Sequence, residues 1–349
     1  MSLANAQMDG LSDKMNGTRL GDLDPDRGLT LTVVGCGTLG IAILSGILSS
    51  SSEPSKPSST PLVSQPSSGT ATPSEDLPAR IPTRFIACVR RPESAKRIKA
   101  SLSSLTSSLT VLQNENLRGV QQADVVLLGC KPQMVADILN EEGMRDALRG
   151  KLLISILAGV PVFQIEHILY GGGPAGDPEP ERRCRIVRVM PNTASLIRES
   201  MTVIATSSPP LPSHLDTLVT WMFTRIGRVV HLPPSAMDAS TALCGSGPAF
   251  FALILEAIAD GAVAMGLPRA EAQFMAAQTM RGTAGLVLNG EHPALVREKV
   301  STPGGCTIGG LLVLEEGRVR GTVARSVREA TVVASQLGKG VQGVNGTRF

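Results

Sequence analysis

Residues 29–48 read LTLTVVGCGTLGIAILSGIL, and this stretch decides the fold. Six strand-forming residues come first, then Gly35, Gly37 and Gly40 in the spacing Gly-x-Gly-x-x-Gly, and then an apolar helix. In that context the first glycine permits a tight turn, the second lets the backbone approach a pyrophosphate, and the third lets helix and strand pack closely. The free N–H groups at the start of the helix suit phosphate oxygens. The stretch predicts a dinucleotide-binding loop; the alternative is a mere tight turn between strand and helix.

Continuous apolar runs predict further strands, and they alternate with helical stretches. The runs are RFIACV (84–89), LTVLQ (109–113), ADVVLLGC (123–130), LLISILA (152–158), RIVRVM (185–190), MTVIAT (201–206) and RVVHL (228–232). This pattern is typical of a mostly parallel sheet covered on both faces, so we predict an α/β Rossmann-type domain over residues 29–232. The Ser/Pro-rich residues 49–80 cannot bury a core and are expected to form a flexible insertion. Residues 1–28 are expected to form a disordered tail.

Beyond Pro234 the strand signals stop and Ala-rich helical runs take over. We predict helices over residues 248–265, 269–288 and 308–337. The second domain is therefore expected to be all-α, to span residues 233–338, and to be unstable as a monomer. Residues 339–349 would form a tail.

Composition and charge exclude several classes of function. A net charge of +3 is too small to indicate a nucleic-acid partner. The most apolar run, residues 250–267, is interrupted by Glu256 and Asp260, so no membrane span is expected. No metal-ligand spacing is present, and the six cysteines form no Cys-x-x-Cys pair, so we predict no metal site and reduced thiols. Without a secretory signal, the expected location is the cytoplasm.

The end of the second strand bears on cofactor choice. NAD sites usually carry Asp or Glu there, whereas this strand ends with Arg90 and Arg91. Guanidinium groups suit a 2′-phosphate, so NADPH is favoured and NADH is the weaker alternative. The competing interpretation is a pair of exposed loop arginines, one of them paired with Glu93.

Two more strand ends are candidates for a nicotinamide pocket. Lys131 and Pro132 follow one apolar strand, and Ala158 and Gly159 end the next. Ligands bind at the carboxyl edge of such sheets, and a glycine there permits close approach of a flat ring. Each signal is weak alone, since Pro132 could also make Lys131 merely structural.

The second domain holds two candidate substrate segments. Ser246 precedes Gly247-Pro248 and a long helix, and residues 301–307, STPGGCT, precede another. Two helix N-termini rich in Gly, Ser and Thr could cradle a carboxylate through backbone N–H groups and hydroxyls. The alternative is two ordinary capped helices.

The order of several motifs resembles one family, pyrroline-5-carboxylate reductase. The motifs are VVGCGTLGIAI, ADVVLLGCKP, SILAGV, RVMPNTAS, CGSGPAFFALILEAIADGAVAMGLPR and GEHPALVREKVSTPGGCTIGGLLVLEEG, between residues 29 and 337. The resemblance implies NADPH-dependent hydride transfer to the cyclic imine 1-pyrroline-5-carboxylate, giving L-proline. It also implies that the helical domain dimerises, and that dimers assemble further, often into decamers.

The resemblance also implies roles for single residues. Those expected to bind the cofactor are Gly35, Cys36, Gly37, Thr38, Leu39 and Gly40 at the pyrophosphate, Arg90 and Arg91 at the 2′-phosphate, Asn116 at the adenine ribose, and Lys131, Pro132, Ala158 and Gly159 at the nicotinamide. Those expected to bind substrate are Ser246, Gly305, Cys306 and Thr307, with Thr307 the catalytic candidate at the ring nitrogen. Thr38 and Leu39 depart mildly from the usual glycine motif, and Lys299 stands where relatives often carry Asn or Met.

Two other classes of function stay open at this point. One is a different Rossmann reductase acting on an imine or keto acid, which would carry a catalytic lysine, often followed by Asn. Here Lys299 is followed by Val300. The other is a non-catalytic NADPH-sensing protein, which would not need the intact Gly305–Thr307 loop.

Overall fold

The computed structural model describes residues 28–52, 77–103, 108–171 and 182–339. These residues fall into two compact units: unit 1 ends at Pro234 and unit 2 begins at Ser235. Nearly all of the expected tails and most of the expected insertion lie outside the described residues. The first helix runs to Ser52, so residues 49–52 of the expected insertion are helical.

Unit 1 is built on one eight-stranded sheet. Its strands are β1 Leu29–Val34, β2 Pro82–Val89, β3 Leu109–Gln113, β4 Val125–Leu128, β5 Leu152–Ser155, β6 Arg185–Met190, β7 Ser200–Ala205 and β8 Gly227–Leu232. The strand order is β3-β2-β1-β4-β5-β6-β7-β8, with β1 to β6 parallel, β7 antiparallel to β6, and β8 parallel to β7. The order of the first six strands is that of the doubly wound dinucleotide fold. The predicted Rossmann-type, mostly parallel sheet is confirmed.

Helices cover both faces of this sheet. They are α1 Thr38–Ser52, α2 Pro92–Ser101, α3 Asn116–Gln121, α4 Val135–Leu139, α5 Met144–Leu148, α6 Val162–Tyr170 and α7 Ser213–Thr224. Successive strand residues point to opposite faces. In β4, Val125 and Leu127 therefore join the core with α1, α2 and α7, while Val126 and Leu128 join the core with α3 to α6. Both faces of the strands are buried, which explains their uninterrupted apolar sequence.

In residues 235–339, unit 2 consists of helices joined by short turns and loops. Its helices are α8 Met237–Ser240, α9 Gly247–Ala264, α10 Arg269–Leu288, α11 Pro293–Lys299, α12 Cys306–Glu316 and α13 Val319–Gly338. The expectation of one helix over residues 308–337 was wrong. Gly317 ends α12, and Arg318 adopts a left-handed conformation (φ 55°) that a continuous helix cannot contain. Helix α11 was missed; Pro293 starts it, and the His292 side chain accepts a hydrogen bond from the Ala294 N–H (3.2 Å).

One helical run, Pro234–Ala264, is long and apolar enough to cross a membrane by length and composition alone. It includes α8, a π-helical turn at Thr241–Gly245 and α9. Core helices of globular proteins pass the same test. Glu256 and Asp260 interrupt its apolar surface, and Asp260 accepts a hydrogen bond from Arg269 at the start of α10.

Candidate active site

The glycine-rich turn between β1 and α1 has a backbone that only glycine adopts without strain. Gly35 has φ +78°, and a Cβ there would lie 2.7 Å from backbone atoms of Cys130. The N–H groups of Gly35 and Cys36 both donate to the Cys88 carbonyl (3.1 and 3.0 Å), and the Gly37 N–H donates to Gly35 O (2.8 Å). These bonds tie the turn to the end of β2.

The other two glycines have the spatial roles that dinucleotide binding needs. A Cβ at Gly37 would find only Gly35 O, 4.0 Å away, so the space in front of this residue is open. A Cβ at Gly40 would meet Cys36 Sγ and Val33 Cγ1, both at 3.1 Å, so α1 packs closely against β1 there. The first-turn N–H groups of α1, which include those of Thr38 and Leu39, have no intrahelical acceptor. Open space beside unpaired N–H groups fits a pyrophosphate.

Cys36 belongs to the turn but faces the core. Its side chain is buried, and burial raises the pKa of its thiol to about 12, with the nearby Cys88 adding to the rise. The thiol stays protonated at neutral pH. Only the backbone of Cys36 is therefore suited to phosphate binding.

Arg90 and Arg91 lie where β2 ends and α2 begins. Both are exposed, Arg91 is the N-cap residue of α2, and Pro92 is the first helical residue. Within the described part of the chain, neither guanidinium has an ion-pair partner, Glu93 included. Both charges are thus available to an anion, and the pairing with Glu93 considered from the sequence does not form.

Asn116 begins α3, close to the end of β2. Val89 pairs in register with Gln113, and the Asn114 N–H donates to Val89 O (2.9 Å), which extends the ladder by one residue. Asn114 takes a left-handed conformation (φ 55°), which Asn tolerates better than most residues. The chain then turns into α3, so Asn116 lies at the same sheet edge as Arg90.

The expected nicotinamide segments follow β4 and β5, which are neighbours. Leu128 pairs in register with Ser155, and the Ile156 N–H donates to Leu128 O (3.0 Å). Lys131 is exposed and precedes a 3₁₀ turn that begins at Pro132. Gly159 has φ +74°, so the turn after Ala158 requires glycine. Unit 1 therefore brings all of the predicted cofactor residues to the carboxyl ends of β1 to β5.

In unit 2 the segment at residues 301–307 forms a turn and the start of α12. Gly304 has φ +67°, and the Gly305 N–H donates to Thr302 O (3.0 Å). Gly305 is the N-cap residue of α12, so Cys306 and Thr307 are its first two residues. Cys306 is exposed and Thr307 is half-buried. The first turn of α12 presents unpaired N–H groups beside the Thr307 hydroxyl.

The sequence suggested that Ser246 caps the free N-terminus of a helix, but the helix does not begin there. Its dihedral angles are helical, its side chain makes no capping bond, and its N–H donates to Thr241 O (3.1 Å) across the π-helical turn. The helix therefore continues backwards through residues 241–245, and the Ser246 N–H is already used. Only the hydroxyl of Ser246 is left to act as a ligand.

Lys299, the departure noted in the sequence, has a partner in its own unit. Its Nζ lies 2.6 Å from Glu291 Oε2, and it is the last residue of α11. The sequence missed two other residues of interest, Thr32 and Lys151, whose side chains bind α3. Neither belongs to a motif, so no sequence signal identified them.

The features found so far are a mostly parallel sheet, a glycine-rich turn at its carboxyl edge, two guanidiniums after β2 with no ion-pair partner among the described residues, and a helical second unit. Together they are typical of dinucleotide-dependent oxidoreductases. Over 321 residues, 92% of this chain and 97% of the relative, the sequence is 66% identical to a pyrroline-5-carboxylate reductase of Lophium arboricola. The chain belongs to the pyrroline-5-carboxylate reductase family.

Further comparisons agree with this membership. A pyrroline-5-carboxylate reductase of Neurospora crassa is 56% identical over 337 residues, 92% of this chain and 96% of the relative. Residues 234–337 match the family model for pyrroline-5-carboxylate reductase dimerisation, and residues 30–159 match that for coenzyme F420-dependent NADP oxidoreductase. A solved Plasmodium falciparum pyrroline carboxylate reductase with NADP bound shares the fold, with TM-score 0.68 and 23% identity, covering 89% of this chain and 98% of that chain.

Proposed function

We infer that this chain reduces 1-pyrroline-5-carboxylate to L-proline, and we propose that NADPH is its preferred hydride donor. The proposal rests on one observation: the glycine turn, Arg90 and Arg91 lie at the same edge of the sheet. The chain is also 66% identical to a protein named pyrroline-5-carboxylate reductase. When bound, the cofactor supplies a hydride from its nicotinamide ring to the imine carbon.

The preference for NADPH rests on charge at the end of β2. Arg90 and Arg91 have no carboxylate partner among the described residues, so a 2′-phosphate would gain charge-assisted hydrogen bonds without breaking an ion pair. No Asp or Glu stands at the strand end to accept a hydrogen bond from a ribose 2′-hydroxyl. Glu93, in the first turn of α2, is the nearest carboxylate in sequence and would disfavour the phosphate only weakly because it is exposed.

The remaining cofactor residues act mainly through shape. Gly35, Gly37 and Gly40, with the backbone of Cys36, Thr38 and Leu39, would hold the pyrophosphate. Asn116 would bind the adenine ribose. Lys131, Pro132, Ala158 and Gly159 would flank the nicotinamide, where the glycine permits close approach of the ring and Pro132 fixes the turn.

Substrate binding is assigned to unit 2. The backbone N–H groups of Cys306 and Thr307 would bind the substrate carboxylate at the start of α12, where the helix dipole also favours an anion. The Gly305 N–H already donates to Thr302 O, so Gly305 would contribute by shaping the turn. The Ser246 hydroxyl would add one donor. Protonation of the ring nitrogen makes the imine carbon more electrophilic. Thr307 is the catalytic candidate because its hydroxyl would accept a hydrogen bond from that protonated nitrogen and hold the imine in place. An imine that binds already protonated needs no strong acid from the protein.

We also propose that unit 2 forms a homodimer, from which a decamer could be built. Buried residues are few in the four longest helices of unit 2: Gly247 and Ala259 in α9, Ala272 in α10, Ala334 in α13, and none in α12. Between α9 and α10 lies an open groove, lined by Ala249, Ala252, Leu253, Leu255, Glu256, Gln273, Phe274 and Ala277. Apolar surface of this extent indicates an interaction site, and the matching family model is a dimerisation domain. Sedimentation would give the number of subunits.

The chemical setting proposed is the cytoplasm, without nucleic-acid or membrane partners. All six cysteines are free, as in a reducing compartment, and the net charge is only +3. Cell fractionation with an antibody against the chain tests the location; recovery with membranes or in an organelle would contradict it.

The test is oxidation of NADPH by the purified chain with pyrroline-5-carboxylate, with NADH in parallel and proline identified as the product. Replacing Arg90 and Arg91 by Ala should raise the Kd for NADPH at least about 10-fold and leave that for NADH unchanged, because a hydrogen bond to a charged group contributes about 1.5–3 kcal/mol. Lys99→Ala, an exposed cation at the other end of α2, is the matched control.

Two outcomes would contradict the proposal. If the double variant bound NADPH and NADH more weakly by the same factor, Arg90 and Arg91 would not be the residues that bind the 2′-phosphate. NADPH binding without turnover of pyrroline-5-carboxylate would point to another imine or keto acid, or to a non-catalytic NADPH sensor.

A further inference from the structure

Helix α3 is too short to hold its own position. It has six residues, Asn116–Gln121, and so only about two turns. Helices of this length gain little stability from their internal hydrogen bonds. Its placement on the sheet must come from contacts with other elements.

Two side chains from distant parts of unit 1 bind its C-terminal carbonyl groups. Thr32 Oγ1, in β1, donates to Gly119 O (2.9 Å). Lys151 Nζ, just before β5, donates to Val120 O (2.7 Å) and to Gln121 O (3.1 Å). The last carbonyls of a helix have no donor within the helix, so these side chains supply donors there. The Val120 carbonyl also accepts from the Ala123 N–H (3.1 Å).

The middle of α3 also touches the sheet where side chains leave no spare room. A Cβ at Gly119 would lie 2.5 Å from Cys88 Sγ and 3.3 Å from Thr32 Cγ2. Thr32 is fully buried, so its hydroxyl has no access to water. Without the Gly119 carbonyl as acceptor, that hydroxyl would bear the cost of burial unpaired. The hydrogen bond from Thr32 and the close contact at Gly119 together fix the position of α3 on the sheet.

The opposite end of α3 belongs to the cofactor edge. The Asn114 N–H holds the preceding turn to Val89 O (2.9 Å), one residue before Arg90. Six residues at a rise of about 1.5 Å make the helix about 9 Å long, so only about two turns separate its two ends. A shift of Gly119–Gln121 is therefore expected to move Asn116 as well.

We propose that Thr32 and Lys151 are positioning residues for the adenosine half of the cofactor: they hold the C-terminal end of α3 and thereby fix Asn116 at its other end. The proposal rests on the proposed function, since that function assigns Asn116 to the adenine ribose. Neither side chain touches the cofactor in this assignment, so both act through the helix.

The test separates the two halves of the cofactor. Thr32→Val and Lys151→Met keep the shape of each side chain and remove its donor. Each should raise the Kd of 2′,5′-ADP, an adenosine-side fragment, and of NADPH about 3- to 10-fold, as expected for loss of one buried hydrogen bond. The Kd of reduced nicotinamide mononucleotide and kcat at saturating NADPH should stay unchanged. Hydrogen exchange of the α3 amides in the cofactor-free protein should become faster.

Matched variants distinguish positioning from a general loss of stability. Thr32→Ser retains the hydroxyl and should restore wild-type binding. Thr202→Val removes another fully buried threonine hydroxyl of the same sheet, in β7; it should lower Tm without changing the Kd of the fragment. Two results would overturn the proposal. One is a rise in the Kd of 2′,5′-ADP in Thr202→Val as large as that in Thr32→Val. The other is a rise in the Kd of reduced nicotinamide mononucleotide in Thr32→Val equal to the rise for 2′,5′-ADP.

The fragment titration also separates this inference from the proposed function. If wild-type protein binds 2′,5′-ADP but does not turn over pyrroline-5-carboxylate, the substrate assignment fails while the positioning roles are still decided by the Kd values. If wild-type protein binds no 2′,5′-ADP, both fail.

Discussion

Unit 1 and unit 2 differ in where they bury their apolar side chains. In unit 1 the strands β1, β2, β4, β5 and β6 are largely buried between two layers of helices, and the edge strand β3 is partly exposed. Among the described residues, the exposed large hydrophobic residues of unit 1 are Leu77, Phe163, Leu196 and Ile197, and the others lie in unit 2. The comparison teaches that unit 1 completes its own core, whereas the helices of unit 2 are shaped for a surface that the single chain does not provide.

The largest effect is expected from a charge placed on the apolar surface of unit 2. Phe274 in α10 is 73% exposed, and Phe163 in α6 of unit 1 is 70% exposed. Phe274→Asp should dissociate the dimer, raising its dissociation constant at least about 30-fold, because a central aromatic residue of an interface contributes about 2 kcal/mol or more. Sedimentation measures this. Phe163→Asp changes an equally exposed residue and should leave the oligomeric state unchanged. The same oligomeric state in both variants would contradict the assignment of the interaction surface to unit 2.

The same substitution, Leu→Ala, should have different consequences in the two units. Leu127→Ala, fully buried in β4, should lower the free energy of unfolding by about 2–5 kcal/mol, by the same amount at any protein concentration. Leu312→Ala, 57% exposed in α12, should cost more than the roughly 0.5 kcal/mol of an ordinary surface change, and its shift in Tm should grow on dilution. Thermal unfolding at two concentrations tests both. A Leu312→Ala shift that is negligible and independent of concentration would show that no partner covers α12.

The two units should also have different chemical roles, one in binding the cofactor and the other in acting on the substrate. Thr307→Ala should lower kcat/KM for the imine about 10- to 100-fold, the loss expected when a hydrogen bond to a charged group is removed. The Kd for NADPH should not change, because unit 1 carries the proposed cofactor residues. Thr307→Ser, which keeps the hydroxyl, should retain most of the activity. Wild-type kcat/KM in Thr307→Ala would remove the catalytic assignment.

The smallest effect concerns the stability of unit 1 alone. Burial lowers the pKa of Lys151 to about 8, against the attraction of Asp124, whereas an unfolded lysine titrates near 10.5. Between these values the unfolded chain binds more protons than the folded chain, so this group adds stability as pH rises from about 8 to 10.5 and adds none below. After allowance for solvent screening the gain is about 1–2 kcal/mol. Urea unfolding at both pH values should show the gain missing in Lys151→Met and present in Lys96→Met, an exposed control.

The strands of unit 1 could be predicted well because each is a short run rich in apolar and β-branched residues, separated from the next by a turn or a helical stretch. LTVLQ and RIVRVM match β3 and β6 residue for residue. The helices of unit 2 were harder to delimit. Arg318 carries no sequence signal for the left-handed conformation that separates α12 from α13, and the π-helical turn that uses the Ser246 N–H leaves no pattern in composition.

Local patterns of side-chain size, period and charge were enough to predict the strands of a mostly parallel sheet, the glycine turn and the charges after β2. Only the tertiary structure decided that Arg90 and Arg91 lack a partner in the described residues, that Ser246 begins no free helix end, and that Thr32 and Lys151 bind α3. The physical reason is distance along the chain. Thr32 and Gly119 are 87 residues apart, and no local preference can encode a hydrogen bond that exists only after β1 and α3 have packed together.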